Sequence, residues 1–426
     1  MAHRNAPNIR GRLPWILLLT ETVFILIFLF LFTFEPSERE SVSTVVYAAF
    51  QDINVMIFLG FGFLFAFMRR YGFSGIAFNL LIAAVGVQWA VIMDGFLFRF
   101  QNWMMLINLM SIVTAAMSTA SVLISAGVLL GKVNPVQLVF LTVFEVTAFS
   151  ANRWVLTEFL KIESQVSMMY LFIFGTYFGL AIAWIQSRPI IGREIKRDKE
   201  KSEPISELFS MIGTLFLWMF FPTFNSMLTE NLAEKQNAVY NTYYALAVSA
   251  VTAFAMSVMT NEKGKLNMMH IRNATLAGGV TISFSAYMIN YPWIAMTLGL
   301  LAAMISILGF KSMQTCLDSV FQIHDTCGVH ATFGLPALLG GISHVILLLT
   351  AQWAGDFTTL GYQALVEGGY QALVEVGAIF FTLFLSIGGG LFTGINLKCK
   401  IWRPPQEWNY FDDQCYWEFP HLASKL

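Results

Sequence analysis

The chain has 426 residues, of which 57% are apolar and 12% charged, about half the charged share of an ordinary soluble domain. Apolar runs of roughly 20 residues recur from end to end, each long enough to cross a bilayer as a helix. A soluble enzyme or a nucleic-acid-binding domain is excluded, and the net charge of −1 informs less than where the charges fall.

Twelve spans are predicted in chain order: 14–34, 48–68, 73–94, 108–131, 135–152, 166–187, 206–227, 238–259, 268–289, 291–311, 329–352 and 372–397. They make an all-α polytopic membrane domain (14–397), preceded by a short N-terminal segment (1–13) and followed by a tail (398–426). An even count puts both termini on one side. With the N-terminus inside, the inner segments hold 20 of the 25 lysines and arginines, so both termini are expected in the cytosol. The first span follows Arg4, Arg10 and Arg12 and lacks a small-residue cleavage site, so it reads as a retained helix. The charged inner loop 187–204, "SRPIIGREIKRDKEKSEP", splits the core into two sets of five helices with one extra helix at each end. Such halves often meet around a midplane path.

Glycine clusters at 60–63, 276–280, 338–343 and 386–394 predict close helix crossings, because helices in lipid associate by tight packing. The duplicated stretch "GYQALVEGGYQALVE" (361–375) is expected to be a tolerant outer loop. Asn273-Ala274-Thr275 is a glycosylation sequon only on paper, since it falls at the inner start of a span. Cys316, Cys327, Cys399 and Cys415 all lie at or beyond the inner face, so reduced thiols are expected.

Ionisable side chains inside a membrane are costly and are functional candidates by default. Within the spans these are Glu21, Asp94, Glu145, His330 and His344. The stretch "IHDTCGVHATFG" (323–334) opens a span with two imidazoles, a carboxylate and a thiol. A zinc site is disfavoured, because six residues turn a helix by about 240° and part the two histidines. His324 and Asp325 are instead expected at the surface, capping the helix start, with His330 turned inward as a core histidine or a functional one. Glu145 is either a proton relay or a protonated structural acid, and the second is favoured. No metal, cofactor or covalent chemistry is expected.

Several segments together resemble the Rh family of the ammonium transporter superfamily. They are "QWAVIMDGF" (88–96), "VLISAGVLLGKV" (122–133), "YFGLAIAW" (177–184), "MIGTLFLWMFFPTFNS" (211–226), "NTYYALAVSAVTAFA" (241–255), "GKLNMMHIRNATLAGGV" (264–280), "HDTCGVH" (324–330) and "YFDDQCYWEFPHL" (410–422). "LGKVN" and the tail look most like the blood-group polypeptides of the D and CE type. The resemblance implies a trimer with one narrow pore per subunit, lined by two histidines and capped by two phenylalanines. His330 matches the second-half histidine, whereas Phe172 falls where the first-half histidine should be. Phe224 matches one gating phenylalanine and Met117 occupies the other's place. At the outer mouth, Ser164 or, with a one-residue gap, Glu163 stands for an expected acid, and Arg153 stands for a glutamate.

The implied function is an Rh-type channel or transporter subunit for ammonia and ammonium, with carbon dioxide an alternative neutral permeant. Its conduction is expected to be reduced or absent. The rival is a non-conducting structural subunit of a heterotrimer with an Rh-associated glycoprotein, linked to the cytoskeleton through an ankyrin-type contact of the tail.

Overall fold

The computed structural model describes residues 11–34, 40–99, 104–186, 199–351 and 362–418. Arg4, Arg10, most of the 187–204 loop and the end of the tail lie outside the described residues. Twelve helices follow one another: α1 (Leu13–Leu31), α2 (Val45–Phe67), α3 (Gly72–Phe98), α4 (Leu109–Leu129), α5 (Pro135–Phe159) and α6 (Ser164–Gln186). Then come α7 (Pro204–Ser226), α8 (Leu232–Thr260), α9 (Met268–Ile282), α10 (Pro292–Ser319), α11 (His330–Thr350) and α12 (Tyr362–Leu397). Eleven of them are long and apolar enough to cross a membrane.

The termini of these helices are written in the sequence. Asn108 and Asn134 each form a reciprocal capping box, with Ser111 and Gln137, which satisfies the first free N–H groups. Proline opens α5, α7 and α10, where its missing N–H costs nothing. The interior belongs to α4 and α6, whose apolar windows are 94% and 83% buried, against 6% for α1. The outermost helix α1 leans on α3 and α5. Small residues set the close crossings: a Cβ at Gly278 of α9 would come within 2.6 Å of the Ala245 carbonyl of α8.

Several boundaries differ from expectation, α5 running on to Phe159 past the predicted 152 and α8 starting at Leu232 before the predicted 238, and three more have a clear physical reason. The duplicated stretch is helical: α12 begins at Tyr362, ten residues before the predicted 372. Its Ala, Leu, Glu and Gln are strong helix formers, but its glutamates keep it out of an apolar run. Secondly, α10 continues to Ser319 through a π turn at Gly309–Met313. Thirdly, α9 stops at Ile282 and its last stretch to Met288 becomes turns. A broken backbone at membrane depth survives only where protein covers it. Here Asn241 of α8 donates to the carbonyls of Ala286 and Ile289 at 2.9 and 2.7 Å. Two three-residue strands, β1 (Phe32–Phe34) and β2 (Met105–Ile107), pair in parallel where an all-helical chain was expected.

The tail folds back onto the end of the bundle where α3 starts. Asp413 accepts from the Phe73 and Ser74 N–H groups at 3.0 and 2.9 Å, capping α3. Trp417 donates to the Ser74 hydroxyl, and Lys199 pairs with Asp412 at 3.3 Å. Asn134 donates to the Trp402 and Arg403 carbonyls. The Phe411 ring is fully buried against Gly131, whose φ of +80° and missing side chain leave a flat seat for it. Burial also pushes the Cys415 thiol up to about 11, while Cys399 is exposed. A maleimide reagent at about pH 7 is therefore expected to label Cys399 and to spare Cys415. The substitution Phe411→Ala should speed Cys415 labelling by about tenfold or more, as read by mass spectrometry. Equal rates at both thiols in the unaltered chain would show that the tail is not docked.

Candidate functional site: an aromatic column beside His330

The opening of α11 answers for the polar cluster 323–330. Asp325 accepts the His330 backbone N–H at 2.8 Å and so caps the helix. It is buried, not at the surface as expected, while His324 reaches out to Glu200 at 3.2 Å. The first turn of α11, His330–Gly334, is a π turn. Gly334 permits it, since a Cβ there would lie 2.6 Å from Thr176 of α6 and 3.1 Å from His330 Nδ1. His330 is itself buried, its ring edge-on to Tyr177 at 5.8 Å.

One turn further, the interior is filled by phenylalanine. Phe172 of α6 lies parallel to Phe333 of α11, with ring centres 6.1 Å apart and planes 4° apart. On its other sides it meets Phe221 at 6.0 Å and Phe224 at 6.1 Å, both from α7. Phe333 stacks in turn on Phe61 of α2, which meets Phe65. All six rings are nearly fully buried. Such offset contacts add roughly 0.5–1.5 kcal/mol per pair beyond the area buried. Met117 is fully buried in the same apolar cluster, on α4. Phe61, Phe221 and Phe333 were not singled out from the sequence. Their one local signal is spacing: Phe221 precedes Phe224 by one helical turn, and Phe333 follows His330 by one.

Two of the interior ionisable groups have close partners. Arg153 is no free cation: its guanidinium lies 3.2 Å from Asp94, bonds the Ser118 hydroxyl and covers the Phe98 ring at 4.5 Å. Glu145 is wholly buried, with Oε1 2.6 Å from the Ser125 hydroxyl, and that hydroxyl is also 2.6 Å from the Gly175 carbonyl. One hydroxyl proton cannot serve both acceptors, so the chain balances when Glu145 carries a proton and donates to Ser125. Glu163 and Ser164 sit at the exposed start of α6, at the end of the bundle away from the tail.

A model of the Ammonium Transporter Family matches residues 14–419. The chain belongs to the ammonium transporter family. It is 45% identical to an RH-like protein of Macaca mulatta over 426 residues, covering 99% of both chains. It is 41% identical to the blood group Rh(D) polypeptide of Rattus norvegicus, with both chains fully covered. Among solved structures it superposes on Rh50 of Nitrosomonas europaea with a TM-score of 0.73 at 25% identity, covering 91% of this chain and 96% of that one. The chain is thus a multi-pass membrane protein of a transporter family with Rh-type relatives.

Two expectations test the interior of this ammonium transporter family member by thermal unfolding in detergent. Asp94→Asn and Arg153→Leu should each destabilise the bundle by about 3–5 kcal/mol, because each strands a buried charge. The double substitution should cost clearly less than the sum, and additive losses would show the pair to be uncoupled. Glu145→Gln keeps a donor to Ser125 and should cost no more than about 1 kcal/mol. A collapse of stability with Gln would mean that Glu145 is ionised.

Proposed function

We propose that the chain is an Rh-type subunit of an ammonia- and ammonium-handling membrane complex whose own passage is throttled at Phe172. The observation that carries this reading is the parallel stack of Phe172 on Phe333, closed on the far side by Phe221 and Phe224. An ammonium ion entering an apolar lumen meets a desolvation cost of order ~20 kcal/mol in the idealised limit. Only neutral ammonia could follow such a route, handed between groups that accept or donate a hydrogen bond. His330 supplies one such group, and Phe172 supplies none in return. Carbon dioxide needs no such partner and is the alternative permeant. In this reading His330, Phe172, Phe224 and Met117 line the route, and Glu163, Ser164 and Arg153 frame its outer mouth. The Asp94 partner removes most of the repulsion that Arg153 would otherwise exert on a cation. Glu145 is structural.

The subunit is proposed to act in the plasma membrane as a homo- or heterotrimer, the second with an Rh-associated glycoprotein. The bias of lysine and arginine supports an inner N-terminus (1–13), a membrane domain (14–397) and an inner tail (398–426). A second reading, a structural subunit joined to the cytoskeleton by an ankyrin-type contact, is favoured by one observation. The docked tail still presents Ile401 and Trp408 at 65% and 53% exposure, a surface fit for a protein partner.

The test is internal pH in liposomes after an ammonia gradient is imposed. The chain alone should acidify or alkalinise them little faster than protein-free vesicles do. Phe172→His should raise the rate by about tenfold or more, since one hydrogen-bond partner in an apolar site is worth roughly 1–3 kcal/mol, and adding His330→Phe should remove the gain. A fast wild-type flux insensitive to His330→Phe, or no gain with Phe172→His, would overturn the route.

A further inference from the structure

At the end of the bundle away from the tail, a cavity of about 300 Å³ opens between the α5–α6 connection, α11 and the first turns of α12. Most of its wall is apolar, with Leu160, Val166, Leu348 and Val374. Its polar groups are concentrated where α11 meets α12. Glu375 and His344 line it there, at 7% and 2% exposure. Glu375 Oε2 accepts from the Tyr170 hydroxyl at 2.7 Å, and Oε1 lies 3.6 Å from His344 Nε2. His344 Nδ1 is buried with no hydrogen-bond partner. With the ring proton on Nε2, facing the carboxylate, Nδ1 offers a lone pair and no donor. The Glu375 carboxylate, held by the Tyr170 hydroxyl and this imidazole, is the acidic group of the inner wall.

Charge and size narrow the guest. Glu163 and Lys161 both line the same cavity, and the Lys161 ammonium is paired with Glu158 at 3.5 Å. Two carboxylates stand in the wall, and Tyr287 and Tyr370 add aromatic rings of the kind that attract a cation. At roughly 30 Å³ per water in the liquid, the space exceeds an ammonium ion several-fold. Among the described residues no cluster of three metal-ligating side chains occurs.

We propose that this cavity binds an organic monocation, a primary alkyl- or arylalkyl-ammonium. Its head group sits against the Glu375 carboxylate on the cavity side, and its apolar body lies along Val166, Leu348 and Val374. The site lies away from the phenylalanine column, shares only Glu163 with the proposed outer mouth, and does not depend on whether ammonia passes along the column.

The full-length chain in detergent, titrated calorimetrically, tests it with three probes: phenethylammonium, its neutral isostere 2-phenylethanol, and ammonium chloride. Phenethylammonium should bind about tenfold or more tightly than the alcohol, and equimolar ammonium should not displace it. Glu375→Gln should weaken the cation about tenfold and leave the alcohol unchanged. Glu163→Gln, at the exposed rim, should weaken it about threefold and guards against a folding defect in the first variant. Equal binding of cation and alcohol, indifference to both substitutions, or displacement by ammonium would each overturn the proposal. None of these readings involves flux, so the fate of the conduction route leaves them unchanged.

Discussion

Hydrocarbon offers no water to a peptide group, so each polar atom of this bundle must find its partner within the protein. That requirement is visible at three places where a helix departs from regularity. The π turn of α2 at Val55–Gly60 loosens the local ladder, and Asn79 of α3 donates to the Ile57 carbonyl at 3.0 Å. The premature end of α9 is met by Asn241, and the π turn that starts α11 is met by Asp325. In each case a short polar side chain from another segment, or from the preceding loop, replaces a bond the helix gave up. Without these substitutes, neither His330 nor the shortened α9 could hold its place.

The same requirement explains the electrical silence of the interior. Arg153 is matched by Asp94, and Glu145 sits in a neutral chain of hydrogen bonds with Ser125 and Gly175. Arg272 lies over the Phe67 ring at 4.4 Å and bonds Ser210. The buried guanidinium groups of Arg153 and Arg272 are thus held by carboxylate, hydroxyl and aromatic partners, and phenylalanine rings pack between α2, α6, α7 and α11.

How much of this could be read in advance varies with sequence distance. The twelve helices were legible because each apolar run carries its own signal over about 20 residues. The start of α12 was not, because its glutamates mask a strong helical preference. Phe172 stood out only through resemblance, since 40 phenylalanines in one chain make any single one unremarkable. The stack that closes around it draws on α2, α6, α7 and α11, a meeting no local pattern encodes. The pairing of Arg153 was hidden for the same reason: its partner Asp94 is 59 positions away. The tail, read as a free docking surface, turned out to be largely committed to its own bundle through Asp413 and Phe411.

That commitment has a consequence for biosynthesis. Asp413 lies 339 positions after the Ser74 N–H it caps, and Phe411 follows all twelve helices, so both are made long after the helices they bind. Until they arrive, the start of α3 and the seat at Gly131 remain uncovered on the same side.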